Sequence, residues 1–216
     1  MADTRTIHFW GAGTMRTFRP LWVAEELGLA YELSCIGPRT GETQTEDYTR
    51  LNPKQKIPFM QDAHMGLSES VAISRYLIAR YGSADSLLTP ETLEARARED
   101  EWVSYVYGEL DETALYVMRR HGDLKAIYGE APAAVTSAKA YAEKHLGVIA
   151  QHLQSQEFVV GDRFGLADVI LVSCLDWAVR YEFDLLPKLQ TYRDIHRQRP
   201  AYRRAYAVNY QGAAKV

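Results

Sequence analysis

Glu69 and Ser70 stand where a short strand-like run gives way to a helical one, and there the chain first suggests a ligand. The leading N–H groups of a helix lack internal acceptors and sit at the positive end of its dipole, so a carboxylate suits them. An ordinary cap with an acidic first turn would use the same two residues. The six histidines (His8, His64, His121, His145, His152 and His196) include no HExxH and no spacing with carboxylates that suits a metal. His145 and His152 lie two turns apart on one helix face, which suggests surface or dimer packing. Cys35 and Cys174 are the two cysteines, too far apart for a zinc cluster, a CxxC pair or a disulfide framework, which favours a reducing compartment. No GxSxG, P-loop or GxGxxG occurs in a strand–helix setting. Asp168 follows Gly165 by three, the spacing of a helix capping box, so its burial is read as folding chemistry rather than acid catalysis. Arg193, Arg197, Arg199, Arg203 and Arg204 make a locally basic stretch, read as a salt-bridged face.

The elements that must position these groups differ between the two ends of the chain. Residues 6–10 read as a strand, broken by Gly11 and Gly13. A helix with Phe18, Leu21, Trp22 and Ala24 at helical spacing follows over 15–27, with Gly28 just beyond its end. Residues 31–36 alternate as a second strand, and strand–helix–strand predicts a parallel pair. A polar loop with a short helix near 47–51 leads to a strand at 58–62 and another at 65–67, close enough to pair antiparallel. Ile73, Tyr76, Leu77 and Tyr81 then keep the spacing of an amphipathic helix. Residues 83–90 read as a linker, with Thr89 as N-cap and Pro90 at the first helical position. Beyond it the pattern is helical throughout: 91–119, 133–153, a central helix after Gly165 that is apolar nearly all round, and short helices near 188–197 and 201–207. This predicts an α+β fold, with a mixed-sheet domain over 1–82, a linker over 83–90 and an all-helical domain over 91–216.

Composition narrows the function classes. The 216 residues are 47% hydrophobic and 25% charged, as in ordinary globular proteins. A net charge of −3 lacks the basic footprint of general nucleic-acid binding. The longest apolar run, 166–175, contains Asp168 and is too short to span a bilayer, and the polar start carries no secretory pattern.

Four motifs fall in order along the chain. They are Gly13-Thr14-Met15-Arg16-Thr17-Phe18-Arg19-Pro20-Leu21-Trp22; Asn52-Pro53-Lys54-Gln55-Lys56-Ile57-Pro58; Leu67-Ser68-Glu69-Ser70-Val71-Ala72-Ile73; and Gly161-Asp162-Arg163-Phe164-Gly165-Leu166-Ala167-Asp168. Together they resemble the cytosolic glutathione transferases, of a Ser/Thr-type, bacterial-like kind. The resemblance implies a thioredoxin-like first domain that holds glutathione, a helical second domain that shapes the pocket for an apolar electrophile, and a homodimer in the cytoplasm. It implies detoxification by conjugation, with glutathione as co-substrate and no metal, nucleic acid or membrane partner. An isomerase, ether-cleaving enzyme or dehalogenase on the same site, or a non-catalytic binding protein, would share the motifs.

Residue by residue, the resemblance implies a cis bond at Ile57-Pro58, whose backbone pairs with the cysteinyl part of glutathione. Alone, Pro58 reads as a proline at a strand start. Ser70 would take the γ-glutamyl carboxylate through its N–H and hydroxyl, and Glu69 the ammonium. Lys56 would hold a glutathione backbone group or carboxylate, though by itself it reads as a solvated charge. Thr14 lies five residues before Arg19, the position of the sulfur-activating serine in Ser-type members. Phe9 and Trp10 fill the region of the Tyr-type tyrosine and offer no phenol. Hydrogen-bonding a thiolate from the Thr14 hydroxyl would lower the thiol pKa, and Arg16 would add positive potential.

Overall fold

The computed structural model describes residues 6–83 and 86–211. Its first strand, β1 (Ile7–Trp10), puts Ile7 and Phe9 into the core and stacks His8 on Trp10 across the other face at 3.9 Å. That is the period-2 pattern of a half-buried strand. The helix α1 (Met15–Glu26) returns the chain to β2 (Tyr31–Ser34), which pairs parallel with β1. A 3₁₀ turn (Glu42–Gln44) and α2 (Glu46–Leu51), capped by the Thr45 hydroxyl, lead to β3 (Phe59–Gln61) and β4 (Gly66–Ser68). β3 is antiparallel to both β1 and β4, giving the sheet order β2-β1-β3-β4. α3 (Ser70–Tyr81) follows, and α1 packs on it. The β1–β2 and β3–β4 pairs have the expected sense, with strand bounds shifted by one or two residues; the antiparallel β1–β3 pair was not expected.

The chain divides into two compact units, one reaching to Thr89 and taking in the residues from Arg197 on, the other running from Pro90 to His196. The helix near 201–207, grouped by its pattern with the helical half, therefore packs with the sheet unit, on α1, while the helix near 188–197 stays with the helical unit up to His196. The reason lies on α1. Phe18 and Trp22 meet the ring of Tyr202 edge-on at 5.1 and 5.0 Å. Arg199 binds Glu26 through two nitrogens (2.6 and 2.8 Å), and Arg204 binds Glu25 at 2.6 Å. A two-point guanidinium–carboxylate pair beside an aromatic cluster outweighs continuity with the preceding helix.

In the second unit, α4 (Leu93–Tyr105) is capped by Thr92, whose hydroxyl accepts the Ala95 N–H at 3.1 Å. Thr89 was the expected cap; its hydroxyl instead faces the Leu87 carbonyl. The expected single helix over 91–119 is interrupted by wide π turns at Val106–Leu115 and Arg119–Asp123, flanking α5 (Tyr116–Met118), and continues as α6 (Lys125–Tyr128) to Gly129 at φ 87°. α7 (Pro132–His152) follows. His145 and His152 face inward rather than outward. His145 Nδ1 meets the Tyr105 hydroxyl at 2.7 Å, and His152 Nε2 meets the Val159 carbonyl at 2.8 Å. α8 (Leu166–Arg180) is buried throughout 166–178, as its unbroken apolar pattern predicts. α9 (Pro187–Arg197) carries Arg193, which pairs with buried Asp176 at 2.7 Å. α10 (Pro200–Tyr206) ends the regular helices and runs into a π turn, Ala207–Gln211.

Asp168 holds the start of α8. It accepts the Gly165 and Val159 N–H groups, each at 2.7 Å, and the Tyr192 hydroxyl. Burial pushes its carboxyl up to about 6, against three hydrogen bonds that favour the charge. Asp168→Ala would leave those buried donors unpaired and lower unfolding stability by roughly 3 kcal/mol or more. Urea denaturation checks this, and a loss below about 1 kcal/mol would rule out the anchoring role.

Candidate functional site

Register brings three loops to one end of the sheet. Trp10 pairs with Phe59, and Phe59 pairs with Ser68. The residues after β1, before β3 and after β4 therefore emerge side by side: Gly11 to Thr14, Ile57-Pro58, and Glu69-Ser70. Ile57-Pro58 is a cis peptide. The carbonyl just before it, on Lys56, accepts the Tyr48 hydroxyl (2.6 Å) and the Asn52 amide (2.8 Å). Ile57 in turn lies against Gly11, where a Cβ would come within 2.5 Å of the Ile57 Cβ at φ 110°. Only glycine fits there, so the turn after β1 is seated directly on the cis-proline loop. The Lys56 side chain is exposed; its backbone carbonyl is the part the fold holds.

Ser70 opens α3 and is buried, with no hydrogen bond to its Oγ among the described residues. Ser74 Oγ, one turn on, shares that state but lies past the leading N–H groups. The preceding Glu69 has φ 77°, a costly conformation for a residue with a side chain. Its carboxylate takes the Lys54 ammonium at 3.0 Å, and Lys54 also reaches Ser68 Oγ at 2.9 Å. No acidic residue sits in the first turn of α3 or of α1, so neither positive helix end is neutralised from within. Asp62 ties the β3–β4 turn to α3. Its Oδ1 accepts the His64 and Met65 N–H groups (2.8 and 2.9 Å), and its Oδ2 accepts the hydroxyls of Tyr76 and Tyr81 (2.7 and 2.6 Å).

Thr14 is the N-cap of α1 in extended conformation, and its Oγ1 accepts the Thr17 N–H at 3.0 Å. Thr17 replies by accepting the Thr14 N–H through its own hydroxyl at 3.1 Å. This is a capping box built from two threonines. Arg16 is half-buried in the same turn. Asn209, from the far end of the chain, donates from Nδ2 to the Thr14 carbonyl at 3.1 Å.

Two family models match the chain: the N-terminal domain of glutathione S-transferase over residues 5–79, and its C-terminal domain over residues 72–200. The chain belongs to the glutathione S-transferase family. Glutathione S-transferase theta-1 of Rattus norvegicus is 29% identical over 69% of this chain, which spans 63% of that relative's length. Elongation factor 1-gamma of Prunus avium is 32% identical over 76% of this chain and 37% of its own. The theta-class glutathione S-transferase of Xanthomonas axonopodis pv. citri, solved with glutathione bound, superposes with a TM-score of 0.78 at 29% identity, covering 94% of this chain and 97% of that one. The sheet unit is thus the thioredoxin-like domain of a glutathione S-transferase, and a helical domain follows it. Among the described residues, no group of three or more His, Cys, Asp or Glu is placed to hold a metal. No helix among them is long and apolar enough to cross a membrane.

The buried Ser70 Oγ needs a partner, and the α3 N-terminus favours an anion. Sequence reasoning did not find Tyr48, Asn52 and Lys54 as supports of the cis-proline loop and Glu69. Asn52-Pro53 signals a turn, but no signal marks Tyr48. Nor did it find Thr17 or Asn209.

Asp62 gives a pH-dependent test of how α3 is held. Partial burial works to raise its carboxyl, but its four hydrogen bonds prevail and hold it down to about 2. The unfolded value is about 3.9, so the stability is present above that pH and is lost as pH falls through the folded value. Asp62→Asn should be less stable at neutral pH, with a flatter decline between about pH 4 and 2. Identical acid profiles for parent and variant would exclude this role.

Proposed function

We propose that the protein is a glutathione transferase that holds glutathione as a thiolate beside Thr14 and delivers it to an electrophilic carbon of an apolar small molecule. The γ-glutamyl carboxylate is taken by the N–H and hydroxyl of Ser70, and Glu69 faces the ammonium. The Ile57 backbone, turned outward by the cis bond to Pro58, pairs with the cysteinyl unit. Arg16 adds positive potential at the head of α1, and Lys56 holds a backbone group or carboxylate of glutathione. The observation that carries this reading is the convergence at one sheet end of the cis-proline, the unpartnered Ser70 hydroxyl and the Thr14 cap.

The chemistry asked of Thr14 is modest. A free thiol, pKa about 8.5, is only a few per cent ionised at neutral pH. A fall of about two makes most of it thiolate, equivalent to ~2.7 kcal/mol of preferential stabilisation. A hydroxyl that donates to the sulfur without ionising supplies part of this, and the α1 N-terminus supplies more. The thiol proton leaves to solvent, the sulfur lone pair forms the C–S bond, and the leaving group departs with the electrons of the bond it breaks. Neither a metal nor a nucleic acid or membrane partner is needed, and a cytoplasmic homodimer is the expected setting. Similarity to a protein named as an elongation factor favours a second reading, in which the site binds glutathione without turnover.

Retention on immobilised glutathione tests binding, and conjugation of chlorodinitrobenzene tests activation. Thr14→Ser keeps the cap and the donor and should stay active. Thr14→Ala should lose about 1 kcal/mol of stability with the cap, and up to about twentyfold of turnover near pH 7 as the bound thiol pKa rises. Turnover of Thr14→Ala equal to the parent would remove Thr14 as activator. Retention with no turnover on a panel of electrophiles would favour the second reading.

A further inference from the structure

Asn209 is wholly buried, yet it comes from the last turn of the described chain, 195 positions after Thr14. Its amide orientation is set by its neighbours. Nδ2 faces the Thr14 carbonyl, which only accepts. Oδ1 faces the Gly13 N–H at 3.2 Å, which only donates. The Asn209 backbone carbonyl accepts that same N–H at 2.9 Å. Oδ1 is therefore an acceptor toward Thr17 Oγ1 at 2.7 Å, and Thr17 must supply the proton.

That choice propagates to Thr14. The Thr17 hydroxyl has one proton. Asn209 Oδ1 is its nearer acceptor, and the Thr14 carbonyl at 2.9 Å is the alternative. With the proton so engaged, Thr17 Oγ1 meets Thr14 Oγ1, 3.0 Å away, as an acceptor. Thr14 Oγ1 already receives the Thr17 N–H, so its own proton is the one left to give. A neutral hydroxyl is a weak competitor for it beside an anionic sulfur. Gly13 is exposed with φ 81°, so the turn ahead of Thr14 has little side-chain packing of its own to hold it.

We infer that Asn209, acting through Thr17, is a positioning residue that aims the Thr14 hydroxyl as a donor at the bound sulfur. The C-terminal turn thereby becomes part of the active-site machinery. The inference rests on the Thr14 reading above. It touches neither the Ser70 end of the tripeptide nor the second substrate.

The test compares the full-length parent with Asn209→Ala, Asn209→Asp, Thr17→Val, Thr17→Ser and Thr14→Ala. The pKa of bound glutathione is read from thiolate absorbance and from the pH profile of kcat/KM. Glutathione affinity is read by calorimetry, and folding by thermal denaturation. Asn209→Ala and Thr17→Val should raise the bound-thiol pKa by about one, a roughly threefold loss of kcat near neutral pH, with glutathione affinity nearly unchanged. Thr17→Ser should restore the parent profile. Should Asn209→Ala not fold, Asn209→Asp and Thr17→Val decide. The aspartate keeps the acceptors for Gly13 and Thr17 but sets an acceptor against the Thr14 carbonyl, so it too should raise the pKa. An unchanged thiol pKa in Thr17→Val and in the folded Asn209 variants, with a raised one in Thr14→Ala, overturns the inference and leaves Thr14 standing. An unchanged pKa in Thr14→Ala overturns the Thr14 reading itself, and this inference with it.

Discussion

The pairing of β1 with two neighbours of opposite sense is the constraint on which the rest depends. β2 runs with it and β3 against it, so the end of β1 lies beside the start of β3. β3 also runs against β4, which brings the start of α3 to the same place. A site assembled this way needs no long side chain to span it. It relies on backbone groups left at strand and helix ends, where hydrogen-bonding capacity is unspent. This explains why modest residues on two of the converging loops, Ile57-Pro58 and Ser70, hold most of the candidate contacts.

Support for those loops comes from hydrogen bonds given by neutral donors more than from ion pairs. Tyr48 and Asn52 share the Lys56 carbonyl, and four donors share Asp62. Lys54–Glu69 is an exposed pair, so its worth lies in orienting Glu69 at its positive φ rather than in bulk stability. Two charged contacts, Arg199–Glu26 and Arg204–Glu25, sit at the far end of α1 from Thr14. They fasten the C-terminal helices to α1, which lets the final turn reach its N-terminus with Asn209.

The helical unit follows different rules. α8 is buried on every side and is started by a carboxylate with three donors, so its position is set by satisfied polar groups at one end and apolar packing along its length. The π turns of 106–115 and 119–123 were not legible. A wide turn keeps the apolar spacing near that of an ordinary helix, and the extra residue shows only in the backbone.

By itself, the order of residues determined the α+β architecture, the sense of the β1–β2 and β3–β4 pairs, the buried run of α8, and the strand-to-helix junction at Glu69-Ser70. These are local matters: periodicity, turn chemistry and helix-end chemistry act within about a dozen residues. Tertiary structure alone decided that Thr92 caps α4, that α10 joins the sheet unit, and that His145 and His152 turn inward. It alone set Tyr48 and Asn52 on one carbonyl and brought Asn209 to Thr14. Each of these is a choice among equally competent local partners, made by packing between segments far apart in the chain. No pattern along a single sequence records such a choice.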